Sequence, residues 1–232
     1  MAYTYKAYSQ IALCPAADWS HVCPAGDAGV FMSPGFLLAV EQAFAPETRF
    51  WHVLFYNEQA VAVACASLCT FDVDLVTLAG VGVKKIAQLG RRFFPRLARM
   101  RMLLCGLPVS AGQHHLVMCR DADRDQILRM LDEILLDLAE QVNAKLIVFK
   151  EFGEVACAGM KRLLVAGYQQ TESPAGHLFY ADFKDFSEYR AALNSHYRND
   201  IRRSQRKFER AQLIPVHIRD TEEILRLYDD RL

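Results

Sequence analysis

Two periods of apolar residues divide this chain. Phe50 to Tyr56 and Ala60 to Phe71 are apolar runs separated by Asn57-Glu58-Gln59, the pattern of two strands joined in a hairpin. Asp72 to Leu78 continues the second run. Shorter runs at Tyr3–Leu13, Met102–Cys105, His114–Cys119, Lys145–Lys150 and Leu178–Phe183 predict further strands, with Lys145–Lys150 expected to be buried. The helical period is clearest over Asp123–Val142. There Ile127, Leu128, Met130, Leu131, Ile134, Leu135 and Leu138 make one broad apolar face, and Asp121, Asp123 and Asp125 crowd the positive end of the dipole. Ser33-Pro34 opens another helix, with Ser33 as N-cap, Phe36, Leu37, Val40 and Phe44 as its apolar face and Pro46 as its stop. Helices are also predicted over Lys84–Leu89, Val155–Val165 and Asp185–Leu193, with one helical turn at Ala16–Trp19.

Strand, helix, hairpin, strands, long helix, strand, helix is the order of a mixed α/β sheet with helices on both faces. The 232 residues suffice for one large domain or one and a half small ones. A 52% hydrophobic composition supplies a core and excludes a disordered chain. Lys plus Arg and Asp plus Glu both total 27, which argues against a protein that coats nucleic acid with its whole surface. No run approaches the length of a membrane span. The opening Met1–Lys6 lacks the basic and then apolar pattern of a signal peptide. Seven scattered cysteines, with no C-x-x-C pair, are expected to be reduced thiols in a cytoplasmic protein.

Charge is balanced overall but not locally. Asn194 to Arg210 holds six Lys/Arg against two acids. Leu193, Tyr197, Ile201 and Phe208 fall on one helical stripe, Asn194 or Ser195 can cap the helix, and Arg198, Arg202, Arg203, Arg206 and Arg210 crowd the remaining surface. Like charges at such spacing repel, so the helix either meets an anionic partner or remains a solvated basic face.

Leu193, Arg198, Ile201-Arg202-Arg203, Arg206-Lys207 and Arg210, followed by the strand-like Leu213–Ile218, resemble the linker of the FemAB-type acyltransferases. That group takes in the CelD-type GNAT proteins and the peptidoglycan-bridge aminoacyl transferases. Ser33-Pro34-Gly35-Phe36-Leu37, Trp51–Val53 and Cys105–Pro108 are similar to other segments of the family. The resemblance implies a GNAT-like domain over 1–183, a basic helical linker over 184–211 and the start of a second GNAT-like unit, not completed, over 212–232. It further implies an activated acyl donor, acyl-CoA or aminoacyl-tRNA, an amine acceptor attacking directly, and tRNA or another polyanion at Arg198, Arg202, Arg203 and Arg206. Neither a covalently bound cofactor nor a metal is expected.

The chemistry has few other anchors. GNAT enzymes commonly hold a donor pyrophosphate at a helix start after Q/R-x-x-G-x-G/A, and that motif does not occur here. Gly80-x-Gly82-x-Lys84-Lys85 is the nearest stand-in, or else a plain strand-to-helix turn. His114 or His115 suits a general base near neutral pH, or else the two form a strand-edge pair with one ring out and one in. Glu151, at the end of a strand, could accept a proton from an amine, or simply cap a helix. A non-catalytic module whose basic helix docks on RNA, a phosphate-bearing ligand or a protein partner is the alternative to an enzyme. Donor, acceptor and oligomeric state leave no mark in these residues.

Overall fold

A computed structural model describes residues 2–24, 29–74, 99–110, 112–172 and 179–212. Gly80, Gly82 and Lys84, and the strand and helix expected after residue 212, lie outside the described residues. The chain divides into two compact units, 1–175 and 176–232.

The first unit is built on a mixed sheet with six described strands: β1 Thr4–Tyr8, β2 Phe50–Tyr56, β3 Ala62–Asp74, β4 Arg99–Cys105, β5 Leu116–Met118 and β6 Leu146–Phe149. β1 through β4 run antiparallel in sequence order, and β6 lies parallel to β4, with Cys105 opposite Phe149. A parallel pair needs a crossover, supplied here by α3, Arg124–Val142. α1 Ala16–Val22 and α2 Pro34–Phe44 precede β2; α4 Glu154–Ala158 and α5 Lys161–Val165 follow β6. This is the mixed α/β sheet with helices that the sequence predicts.

Two cores lie on opposite faces of the sheet. On one, Val53, Phe55, Ala66, Leu68 and Leu103 meet Ile127, Leu128, Leu131 and Leu135 of α3. On the other, Leu54, Cys65, Cys69 and Leu104 meet Trp19, Leu37 and Val40 of α1 and α2. Covered on both sides, the first half of β3 reads as a continuous buried run, Ala62 to Thr70, rather than an alternating one. Its side chains are mostly small, which lets helices approach from both faces. An extra residue, Val63, bulges between Ala62, opposite Tyr56, and Ala64, opposite Phe55.

The caps follow the sequence. Ser33 Oγ accepts from Phe36 N–H, Asp123 Oδ1 from Gln126 N–H, and α3 ends on Asn143 in the left-handed region at φ 55°. Some expectations change. Ala16–Trp19 extends to two turns. The helix expected over Val155–Val165 is broken at Gly159-Met160 into α4 and α5. β6 is half-buried rather than buried, with Leu146 exposed, because no described strand pairs with its outer side. Residues 179–183 form no strand.

In the second unit, Asp185 caps α6, Phe186–Ala192, and Asn194 caps α7, Ser195–Arg210. No residue of α7 is buried; Tyr197 and Phe208 are exposed beside the arginines. No helix among the described residues is long and apolar enough to cross a membrane.

Candidate active site at the ends of the parallel strands

The long strand β3 is shared. Its second half pairs with β4 and its first half with β5. Ser67 stands at the junction: its carbonyl accepts from Gly106 N–H at 3.0 Å, and its N–H donates to the His115 carbonyl at 2.9 Å. The loop between β4 and β5 therefore leaves and re-enters the sheet on one residue. Beyond Cys105 and Phe149 the parallel pair holds one further bond, Lys150 N–H to the Cys105 carbonyl at 3.1 Å, and then the chains part. Gly106 turns away at φ 148°, where a Cβ would lie 3.1 Å from that of Lys150.

Lys150 and Glu151 fill the fork. Lys150 Nζ donates to the Leu107 carbonyl at 3.2 Å and to Ser110 Oγ at 2.9 Å, and lies 3.3 Å from Glu151 Oε1. Glu151 Oε2 accepts from Gly112 N–H at 3.2 Å. Glu151 itself sits at φ 62°, a left-handed conformation unusual for a side chain with Cβ, held by these contacts. Burial raises the Glu151 carboxyl, but its bonds to Ser110, Lys150 and Gly112 outweigh that and hold it below the usual range. It caps no helix, since Gly153 takes that position at α4. Its contacts pin the loop that carries the histidines.

The two histidines split in role. His115 is wholly buried, with neither ring nitrogen hydrogen-bonded among the described residues, and burial lowers it to about 4. His114 is half-buried, its ring stacked on Phe152 at 4.9 Å; burial, then the charge of Arg124, lowers it below its ordinary value. Both are therefore neutral at pH 7, but only His114 reaches open space. It lines a cleft of about 570 Å³ together with His21, Pro24, Gln113, Cys119 and Arg120. On the other side of the loop, Phe31, Phe36, Phe44, Pro108 and Ser110 line an apolar groove of about 670 Å³.

The start of α3 offers no cradle for a phosphate. Its capping bond is taken by Asp123, whose own N–H donates to Tyr3 Oη at 3.0 Å, and Asp125 sits in the first turn. Carboxylates there oppose an anion that a bare helix start would attract. Arg198, Arg202, Arg203 and Arg206 lie on α7, in the second unit.

Sequence reasoning missed one polar cluster. His52 Nε2–H donates to Glu41 Oε1 at 2.6 Å, its Nδ1 accepts from Ser67 Oγ–H at 3.0 Å, and Ile11 N–H donates to the same Glu41 oxygen at 2.7 Å. Burial lowers His52, and Glu41 partly opposes the shift. The set has the composition of a hydrolytic triad but is closed to substrate, with His52 and Ser67 wholly buried. It joins α2, the Ile11 turn and the sheet. Glu41 lies on the apolar face of α2, and only its contact across 11 residues with His52 reveals why.

No family model and no curated protein matches the chain. Among solved structures it is similar to ribosomal-protein-alanine N-acetyltransferase from Brucella melitensis biovar Abortus 2308, at 12% identity and TM-score 0.44, over 77% of this chain and 99% of that one. The aminoglycoside 6'-N-acetyltransferase of Acinetobacter baumannii gives 13% identity and TM-score 0.44 over 77% and 99%. Glucosamine-6-phosphate N-acetyltransferase from Arabidopsis thaliana gives 9% and 0.40 over 76% and 99%. At these identities no residue role passes from them to this chain.

Proposed function

We propose that the chain is an N-acyltransferase, moving an acyl or aminoacyl group from an activated donor to an amine by direct attack. The observation that carries this reading is the fork between β4 and β6, opening beside a neutral imidazole that lines a cleft. An attacking ammonium must lose a proton. His114, neutral at pH 7 and within the cleft wall, is the group to receive it. The Lys150 ammonium and Ser110 hydroxyl are the donors at the fork suited to negative charge developing on the acyl oxygen. Glu151 and His115 position the loop. No covalent intermediate is needed, because holding donor and amine together supplies much of the acceleration.

The donor is acyl-CoA or aminoacyl-tRNA in this reading, the acceptor an amine of the cell envelope such as a peptidoglycan precursor, and the compartment the cytoplasm. Unpaired cysteines suit a reducing environment. A second reading, a binding module for a polyanion, is favoured by the exposed arginine face of α7.

Thiol release from a panel of acyl-CoA thioesters, with and without added amines, tests the first reading. Amine-dependent release is expected, and His114→Ala should lower kcat by roughly 100-fold or more, within the range of general-base contributions. Loss of under about 3-fold would remove His114 from that role. No release from any CoA thioester or aminoacyl-tRNA would sink the enzyme reading.

A further inference from the structure

We propose that Cys23 and Cys65 are a thiol pair that a hydroperoxide converts to a disulfide, cross-linking the end of α1 to the first half of β3. Their sulfurs are 3.1 Å apart, inside van der Waals contact, although 42 residues separate them in sequence. A disulfide needs about 2.05 Å between sulfurs, so closure asks for a movement of roughly 1 Å by the two side chains. The pair also has a way in. Cys23 is partly exposed, at the C-cap of α1, directly between Val22 and Pro24, which line the cleft with Cys119. Cys65 is wholly buried behind it.

This difference in exposure sets the order of events. The Cys23 thiolate attacks one peroxide oxygen; the O–O bond breaks, and water or an alcohol leaves, giving a sulfenic acid on Cys23. The Cys65 sulfur then attacks the Cys23 sulfur. The S–S bond forms, the S–O bond breaks, and the hydroxyl leaves as water with the Cys65 proton. Two thiols give up two electrons, and the peroxide takes them. Burial raises the Cys65 thiol well above its ordinary value, which keeps it protonated until the second step. That suits a resolving thiol, whose attack is speeded by proximity rather than by ionisation. Cys119, which lines the cleft beside Val22 and Pro24, is the competing partner.

The product would tie the end of α1, beside the cleft, to the buried strand β3. Closing a loop of this length restricts the unfolded chain, so the oxidised form melts higher than the reduced form.

The test is a titration of the purified chain with hydrogen peroxide, followed by alkylation under denaturing, non-reducing conditions and peptide mapping. Seven alkylated cysteines before treatment should become five, with a Cys23–Cys65 peptide whose mass is lower by two hydrogens. Dithiothreitol should restore seven. Cys65→Ala should stop at a sulfenic acid on Cys23, trapped by dimedone, and Cys119→Ser should leave the cross-link unchanged. Should Cys65→Ala fail to fold, Cys23→Ser gives the second arm, retaining all six of its thiols. Seven free thiols after treatment, a Cys23–Cys119 peptide, or stable over-oxidation of Cys23 in the unaltered chain would each overturn the proposal.

Discussion

His115 carries an imidazole into the core without a hydrogen-bond partner among the described residues, and this has a price at low pH. An unfolded histidine titrates near 6.5, whereas here the ring titrates near 4. Between those values the unfolded chain binds a proton that the folded chain refuses, so stability is complete above about pH 6.5 and drains away as pH falls toward 4. The loss is on the order of 3 kcal/mol. Urea unfolding at several pH values should show this acid limb, and His115→Leu should flatten it while leaving stability at pH 7 equal or higher. An acid limb unchanged in His115→Leu would mean that other groups set it. His52 shifts the same way, so its contribution should remain in that variant. Glu41 is tested differently. Glu41→Ala strands the Ile11 N–H and His52 Nε2–H in the core, which should cost about 2–4 kcal/mol by chemical denaturation. Glu41→Gln should cost less, because its amide oxygen can still accept.

Among elements, α3 was the most legible and the β4–β5 loop the least. The apolar period of α3 named the residues that now face the sheet; of the seven, only Met130 is outside the buried set. Leu131→Ala or Leu135→Ala should cost about 2–5 kcal/mol in a denaturant titration, from lost transfer energy and the cavity left behind. Asp123→Ala should cost about 1 kcal/mol, the usual worth of a cap. The hairpin and the Ser33 cap were legible for the same reason: local chemistry decides them. The fork was not. His114, His115 and Glu151 were each visible as candidates, but their gathering depends on β6 adding parallel to β4 and on Ser67 holding both ends of a loop. Those are contacts across tens of residues, and neither periodicity nor turn chemistry encodes them. The break at Gly159-Met160 was hidden too, because the apolar pattern runs through it and Met160 and Leu163 still reach the core.

For the molecule as a whole, the two units make separable forecasts. A chain ending at residue 175 should keep the sheet and melt cooperatively, as followed by circular dichroism, since both cores lie within it. In the full chain, Arg202→Gln with Arg206→Gln should leave the melting of the sheet where it is, because exposed arginines contribute little to stability. If α7 meets a polyanion, the same double variant should weaken binding to tRNA and flatten the slope of log K against log salt. Salt-independent binding, or none, would leave α7 a solvated basic face. One consequence of the fold reaches past these tests. β3 is a single layer between two helical faces, and from Ala62 to Ser67 it is furnished almost entirely with alanine, cysteine and serine. Such a strand can drift in only one direction, toward greater bulk. A comprehensive substitution library should therefore find this stretch nearly closed to single changes, with survivors arising as compensated pairs: a larger residue at Ala64 with a smaller one at its cross-strand neighbour Met118, or at Ala66 with Val53. Sequence variation at the centre of this sheet would then be recorded as covariation between strands.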